Sequence, residues 1–194
     1  AMIVPRHEEK WGEKYMRFGW IDFIDDAEVV KALMDTVENW ARQEGKLGVH
    51  GPLGFTDLDR EGMLVEGFDE MTTLATIYNY PYYPQRLEEL GYTKDVDWIE
   101  HEFTFSTQLE EKIANAAALI AQRTKTHLFQ GKKNDLLGLA PQIFDVINEA
   151  YRHLYGTVPL TEAQVKSYVN TYFGFANPDF IPLVMQENDR LGAF

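Results

Sequence analysis

Several side chains in this sequence are spaced for proton transfer. Glu66 and Asp69 lie in a glycine-bounded segment, Gly62-Met63-Leu64-Val65-Glu66-Gly67-Phe68-Asp69. A carboxylate placed there can act as a general base toward an attacking ammonium. Glu100-His101-Glu102 offers a second set. In a strand, however, alternate side chains face opposite ways, so the two glutamates share one face and His101 takes the other. A metal wants converging ligands, and His7, His50, His127 and His153 are scattered without ligand spacing, so no metal is expected. Asp57-Leu58-Asp59-Arg60-Glu61-Gly62 lacks the spacing and the terminal glutamate of a calcium loop. Tyr82 and Tyr83 are the acid candidates, set against the commoner use of paired rings in packing. There is no cysteine, so thiolate chemistry is excluded. No nucleophile elbow or phosphate-binding Gly-Lys-Ser/Thr loop occurs.

The elements that must position these groups are legible in the hydropathy pattern. Met2–Val4 reads as a short apolar strand, and the charged stretch from Arg6 to Tyr15 as a loop or hairpin tip. Phe18–Ile24 alternates as a strand. Asp25 or Asp26 caps a helix over Ala27–Glu44, with Val29, Val30, Leu33, Met34, Val37, Trp40 and Ala41 at helical spacing. Gly45 stands where a left-handed cap is needed. Leu47–His50 is a short strand followed by a Gly/Pro-rich loop. Gly62–Phe68 and Leu74–Tyr78 read as extended, and a short helix runs from Pro81 and Pro84 to Leu90. Val96–Phe105 reads as a long strand.

Composition then shifts. Leu109–Arg123 is an alanine-rich helix, and Thr126–Gln130 a strand. Leu136–Tyr155 carries a helical pattern that Pro141 starts or kinks. A helix opens at Thr161 and runs to Phe175. Ile181–Gln186 and Leu191–Phe194 are final apolar pieces. Together these elements predict an α+β fold, a mixed sheet with helices packed on it.

Charge narrows the partners. The net charge of −13 is concentrated in residues 1–105, which hold 22 acidic and 10 basic side chains, whereas residues 106–194 hold 9 and 8. No Lys/Arg stripe with interleaved aromatics appears, so nucleic acid is excluded as a partner. An anionic membrane surface is repelled too, and no run of about 18 apolar residues is present to span a bilayer. A cytoplasmic protein is expected, with amines as the natural electrostatic ligands. Solubility alone also explains acidity of this kind.

Strand, helix, strand, Gly/Pro loop, then a helix closing Leu87-Glu88-Glu89-Leu90-Gly91-Tyr92: this order over residues 18–92 resembles the C-terminal half of a GNAT-type acyl-CoA N-acyltransferase. Gly51-Pro52-Leu53-Gly54-Phe55 and Gly62–Asp69 are similar to segments of a bacterial subgroup of large, tandem GNAT-related proteins. On that resemblance, residues 1–105 correspond to the fold from its fourth strand onward. Residues 106–194 correspond to the helix-rich part before it, so the two halves stand in reversed order. The implied chain is a segment of a tandem protein whose ends meet on one sheet, within one chain or in a homodimer formed by strand exchange.

The resemblance also implies roles. Acetyl-CoA or another acyl-CoA would be the acyl donor, its pyrophosphate held by backbone N–H groups at Ala27, Glu28 and Val29. Glu66 or Asp69 would take the proton of the amine, and Tyr83 would supply one to the leaving thiolate. The family's glycines are absent from Asp25–Lys31, and counting back from Gly91 to the usual tyrosine gives Leu87. These departures support the alternative, a non-catalytic GNAT-derived binding or structural domain with a degenerate coenzyme site. Charge makes a direct prediction: fluorescence anisotropy should detect no binding to duplex DNA or to anionic vesicles at physiological salt. Tight, salt-sensitive binding would contradict the reading of the acidic half.

Overall fold

Residue placement follows from short local signals in a computed structural model that describes residues 1–73, 76–172 and 177–194. The start of the extended stretch 74–78 and the end of the helix expected to reach Phe175 lie outside the described residues. The fold is α+β. It divides into two compact units, Ala1–Ile99 with Leu154–Val158, and Glu100–His153 with Pro159–Phe194.

In the first unit, Pro5 and Gly12 bracket helix α1 (Pro5–Trp11), where the sequence suggested a loop. Proline is favoured at the first helical position, and Gly12 at φ 74° supplies the left-handed end, donating its N–H to Glu8. Strand β1 (Tyr15–Arg17) lies just before the expected strand. Met2 bridges Arg17 from one side by a pair of backbone bonds of 2.7 and 3.0 Å. Phe18 donates one more bond to the His50 carbonyl, and the chain then leaves the ladder. Gly19 explains the departure: a Cβ there would sit 2.3 Å from the Leu53 carbonyl oxygen, so the backbone is pressed against the next loop.

Helix α2 (Ala27–Gln43) agrees with its pattern closely. Asp26 caps it, its carboxylate accepting the N–H of Glu28 at 2.8 Å and of Val29 at 3.3 Å. Val30, Met34 and Ala41 are buried, whereas Val29, Leu33 and Trp40 form a partly exposed shoulder. Gly45 (φ 67°) turns the chain into β2 (Gly48–His50), which pairs parallel to β1 with Arg17 opposite His50. Helix α3 (Tyr82–Glu89) completes a core of Phe18, Phe23, Val30, Met34, Tyr83 and Leu87. The expected strand over Val96–Phe105 is absent as regular structure. Trp98, Ile99, Phe103 and Phe105 are all exposed there, so no burial on one face favours a pleated backbone.

In the second unit, Ser106 caps α4 (Thr107–Thr124), an alanine-rich helix with no buried residue. Helix α5 (Lys133–Ala150) runs through Pro141 without ending, and buries Leu136, Ala140, Ile143 and Phe144. Helix α6 (Glu162–Tyr172) follows. Strands β3 (His127–Leu128), β4 (Val184–Met185) and β5 (Leu191–Ala193) form an antiparallel sheet in that order. Asp189, at φ 58°, turns the β4–β5 hairpin.

The two ends therefore take partners inside their own units: Met2 pairs with Arg17, and Leu191–Ala193 pairs with β4. The expected ladder between Met2–Val4 and Leu191–Phe194 within one chain is replaced by these local pairings. Among the described residues, no helix is long and apolar enough to cross a membrane. The Asp26 cap yields a test: Asp26→Ala should destabilise the protein by about 0.5–2 kcal/mol, read by denaturant unfolding. An unchanged midpoint would contradict the capping role.

Candidate functional site

The parallel register sets Arg17 beside His50, and residues directly opposite in a ladder present their side chains on the same face. Arg17 is only 2% exposed. A buried guanidinium must have acceptors, and it draws them from three separate segments. Its Nη1 donates to the Gly54 carbonyl at 3.1 Å, and its Nη2 to the Gly156 carbonyl at 2.6 Å. Nη2 also donates to Nδ1 of His7 at 2.8 Å. Arginine cannot accept, so His7 carries its proton on Nε2 and donates it to Glu13 at 2.9 Å. Desolvation pulls the Arg17 pKa below its ordinary value, opposed by Glu61, Asp57, Tyr155 and Glu13.

The Gly/Pro loop after β2 wraps over this cation. Asp59 accepts the N–H groups of Phe55 (2.8 Å) and Thr56 (3.3 Å) and packs so tightly on Gly54 that a Cβ there would lie 2.0 Å from its own. That turn holds Asp57 and Glu61 half-buried. Burial pushes the Glu61 carboxyl up to about 7, with Asp57 and then Asp59 adding to the rise and Arg17 opposing it. Burial raises Asp57 also, against its backbone hydrogen bond and the charges of Arg17 and Lys10.

On the other side of Arg17, His50 directs Nε2 at Asp95 at 3.1 Å. Tyr155 donates its hydroxyl to the same carboxylate oxygen. Burial lowers the His50 pKa, with Asp95 opposing that shift and Arg17 and His7 reinforcing it. Among the described residues, three buried polar atoms lack a hydrogen-bond partner: Arg17 Nε, His50 Nδ1 and Asp57 Oδ2. All three belong to this one cluster. A carboxyl poised near neutrality and a half-buried imidazole, each acted on by Arg17, are groups suited to proton transfer.

The residues singled out from the sequence sit apart from this cluster. Glu66 and Asp69 are exposed. Tyr83 is buried in the core; it donates to Asp22 and accepts the Phe23 N–H at 3.2 Å, and its hydroxyl is pushed up to about 12, by burial first and then by Asp22. The backbone N–H groups of Glu28 and Val29 are already taken by Asp26, and Ala27, Glu28 and Val29 are exposed among carboxylates. This helix start does not fit a pyrophosphate. Glu100, His101 and Glu102 are exposed and outside any strand. The cluster itself went unmarked in the sequence because its members lie at positions 7, 17, 50, 57, 61 and 95, joined only by tertiary contacts. The one local signal is the density of glycine and acid between Gly51 and Gly62.

Comparison with known proteins gives two relatives of interest. The chain is 29% identical over 167 residues to protein YghO of Escherichia coli, covering 84% of this chain and 41% of that protein. It is 26% identical over 155 residues to a bacterial ceramide synthase of Caulobacter vibrioides, covering 77% of this chain and 38% of that protein. The chain thus spans about two fifths of the length of each. No protein-family profile and no solved structure matches it.

Burial of Glu61 has a measurable consequence. Its folded pKa lies above the ordinary 4.5, so the protonated form is the one the fold favours. Its stabilising contribution is complete below about pH 4.5 and is lost as pH rises through about 7. Glu61→Gln should therefore stabilise the protein at pH 8 by about 1–2 kcal/mol, less than the full linkage value because the carboxyl is partly solvated. The gain should vanish by pH 4.5 in denaturant titrations. A gain independent of pH would contradict the burial argument.

Proposed function

We propose that the first unit carries out N-acyl transfer, forming an amide from an amine and an acyl thioester. The observation that carries this reading is the half-buried carboxyl of Glu61, poised near neutrality in the loop after the parallel β1–α2–β2 unit and acted on by the charge of Arg17. The similarity to a ceramide synthase supports it, since a ceramide is the amide of an amino alcohol with a fatty acid. The acidity of residues 1–105 supports it too, because such a surface concentrates ammonium ions.

An ammonium is not a nucleophile, so a base must first remove a proton. A carboxyl with pKa near 7 does this more effectively than an ordinary glutamate, because its basicity is higher while part of it remains ionised. The freed amine attacks the carbonyl carbon, a C–N bond forms, the C–S bond breaks, and the thiol leaves with a proton. Glu66 and Asp69 are the competing bases, in full contact with water. Tyr83 is a weaker acid candidate than its position in the sequence suggests, since its proton is committed to Asp22. Coenzyme A has no cradle at the start of α2, so no step is assigned to its pyrophosphate. A second reading, a non-catalytic domain descended from such an enzyme, is favoured by that same self-capped helix start.

Mass spectrometry of the full chain with long-chain amino alcohols and acyl thioesters tests the proposal. Amide should form, and Glu61→Gln should lower the rate by about 10²–10⁴-fold. Glu66→Gln and Asp69→Asn should each stay within about threefold of wild type. Absence of amide across amine and acyl chain lengths, with no thioester binding, would favour the non-catalytic reading.

A further inference from the structure

The second unit leaves space beside α5 that its own packing does not fill. Strand β3 with the two residues after it, α5 and the β4–β5 hairpin border a cavity of about 550 Å³. That is within the range of small-molecule sites, roughly 300–1,000 Å³. All of its lining belongs to this one unit.

Two glycines shape the cavity. Asp135, Gly138 and Leu139 are spaced three and four apart, so they share one face of α5. A Cβ at Gly138 would meet no atom within 4 Å, so no neighbour demands glycine there. Glycine inside a helix is less stable than alanine, a cost that local packing does not explain. What the missing side chain does is leave this wall of the cavity open. At Gly131 the reverse holds: a Cβ would fall 2.0 Å from the Phe129 ring, which lies folded against that backbone. The Phe129 N–H donates to the Leu183 carbonyl at 2.8 Å and so ties this aromatic wall to the sheet.

The lining is apolar on one side and anionic on the other. Met185 is buried, and Phe129 and Leu139 are half-buried. Asp135 and Asp189 carry the charge, His127 and Gln130 add polar groups, and no lysine or arginine lines the cavity. Asp135 spends Oδ2 on the Lys132 N–H at 2.8 Å. Its Oδ1 and the whole Asp189 carboxylate have no hydrogen bond or ion pair among the described residues. An anion would meet repulsion from both groups, whereas a cation meets two acceptors and an aromatic ring.

We propose that this cavity binds an organic ammonium with an alkyl body. Asp135 and Asp189 take the cationic head, and Phe129, Leu139 and Met185 cover the carbon chain. The site lies wholly in the second unit and does not depend on acyl transfer by the first.

Titration of the full chain with octylammonium, followed in amide NMR spectra, tests this. Binding should saturate and shift the signals of Leu128, Phe129, Gly138 and Leu139. Octanoate has the wrong charge and methylammonium lacks the chain, so each should bind at least about tenfold more weakly. Asp189→Asn should weaken octylammonium binding by about threefold to fivefold. Asparagine readily adopts the φ of 58° at that position, so the turn should hold. Gly138→Ala should weaken binding by about tenfold while the melting temperature holds or rises, which a glycine needed only by the fold would not do. Octanoate binding as tightly as octylammonium would overturn the charge argument. No saturable binding, shifts confined to the acidic residues of the first unit, or both variants within about twofold of wild type would overturn the site.

Discussion

A buried guanidinium organises the first unit. Arg17 is almost fully removed from water, and losing the acceptors of Nη1 and Nη2, when Nε already lacks a partner, would strand charge in a low-dielectric interior at a penalty of several kcal/mol. Satisfying it requires α1 to supply His7, the loop after β2 to supply Gly54, and residues 154–158 to supply Gly156. The loop and the segment 154–158 have little regular structure to hold them otherwise. The strand that presents Arg17 is only three residues long, yet it takes Met2 on one side and β2 on the other. One side chain thus decides where a helix, a loop and a distant connecting segment meet.

The same charge explains why carboxyls are tolerated nearby. Asp57 and Glu61 are half-buried; the charge of Asp57 raises the pKa of Glu61 and that of Asp59 raises both, an arrangement that like charges resist. Arg17 offsets part of that repulsion for both. Offset is incomplete, and Glu61 stays near the midpoint of its titration at neutral pH. A second cation at the loop would lower the Glu61 pKa, and removing Arg17 would raise it further. Either change would take away a base that works around pH 7.

Much of the secondary structure was legible in the sequence, and the reasons differ by element. Helix α2 was readable because cap, apolar spacing and Gly45 agree over seventeen residues. Helix α5 was readable as a helix but not in extent: it runs from Lys133 to Ala150 rather than Leu136 to Tyr155, and it continues through Pro141 because the apolar face formed by Leu136, Ala140, Ile143 and Phe144 outweighs one lost backbone bond. The strand expected at Phe18–Ile24 was displaced because Gly19 lets the backbone close on Leu53, a contact that no period in the sequence reveals. Val96–Phe105 alternates in part, but alternation makes a strand only where a neighbour buries one face. The candidate site was the least legible part. Its members come from five separate stretches of chain, around positions 7, 17, 50, 57–61 and 95, and only the β1–β2 register brings Arg17 and His50 together.

Local rules are broken where the first unit is most crowded. An arginine is buried in a strand, a histidine nitrogen and a carboxylate oxygen are buried without partners among the described residues, and an acid is held well above its ordinary pKa. Each departure lowers stability, and an apolar residue in most of these positions would be expected to raise it. Such departures gather at sites that work, because chemistry needs groups held out of equilibrium with water. The core of Phe18, Phe23, Val30, Met34, Tyr83 and Leu87 shows the contrast: it obeys every packing rule, and the one hydroxyl within it is fully engaged. Tyr83 therefore belongs with the apolar residues that support the fold, and the reactive groups belong with Arg17.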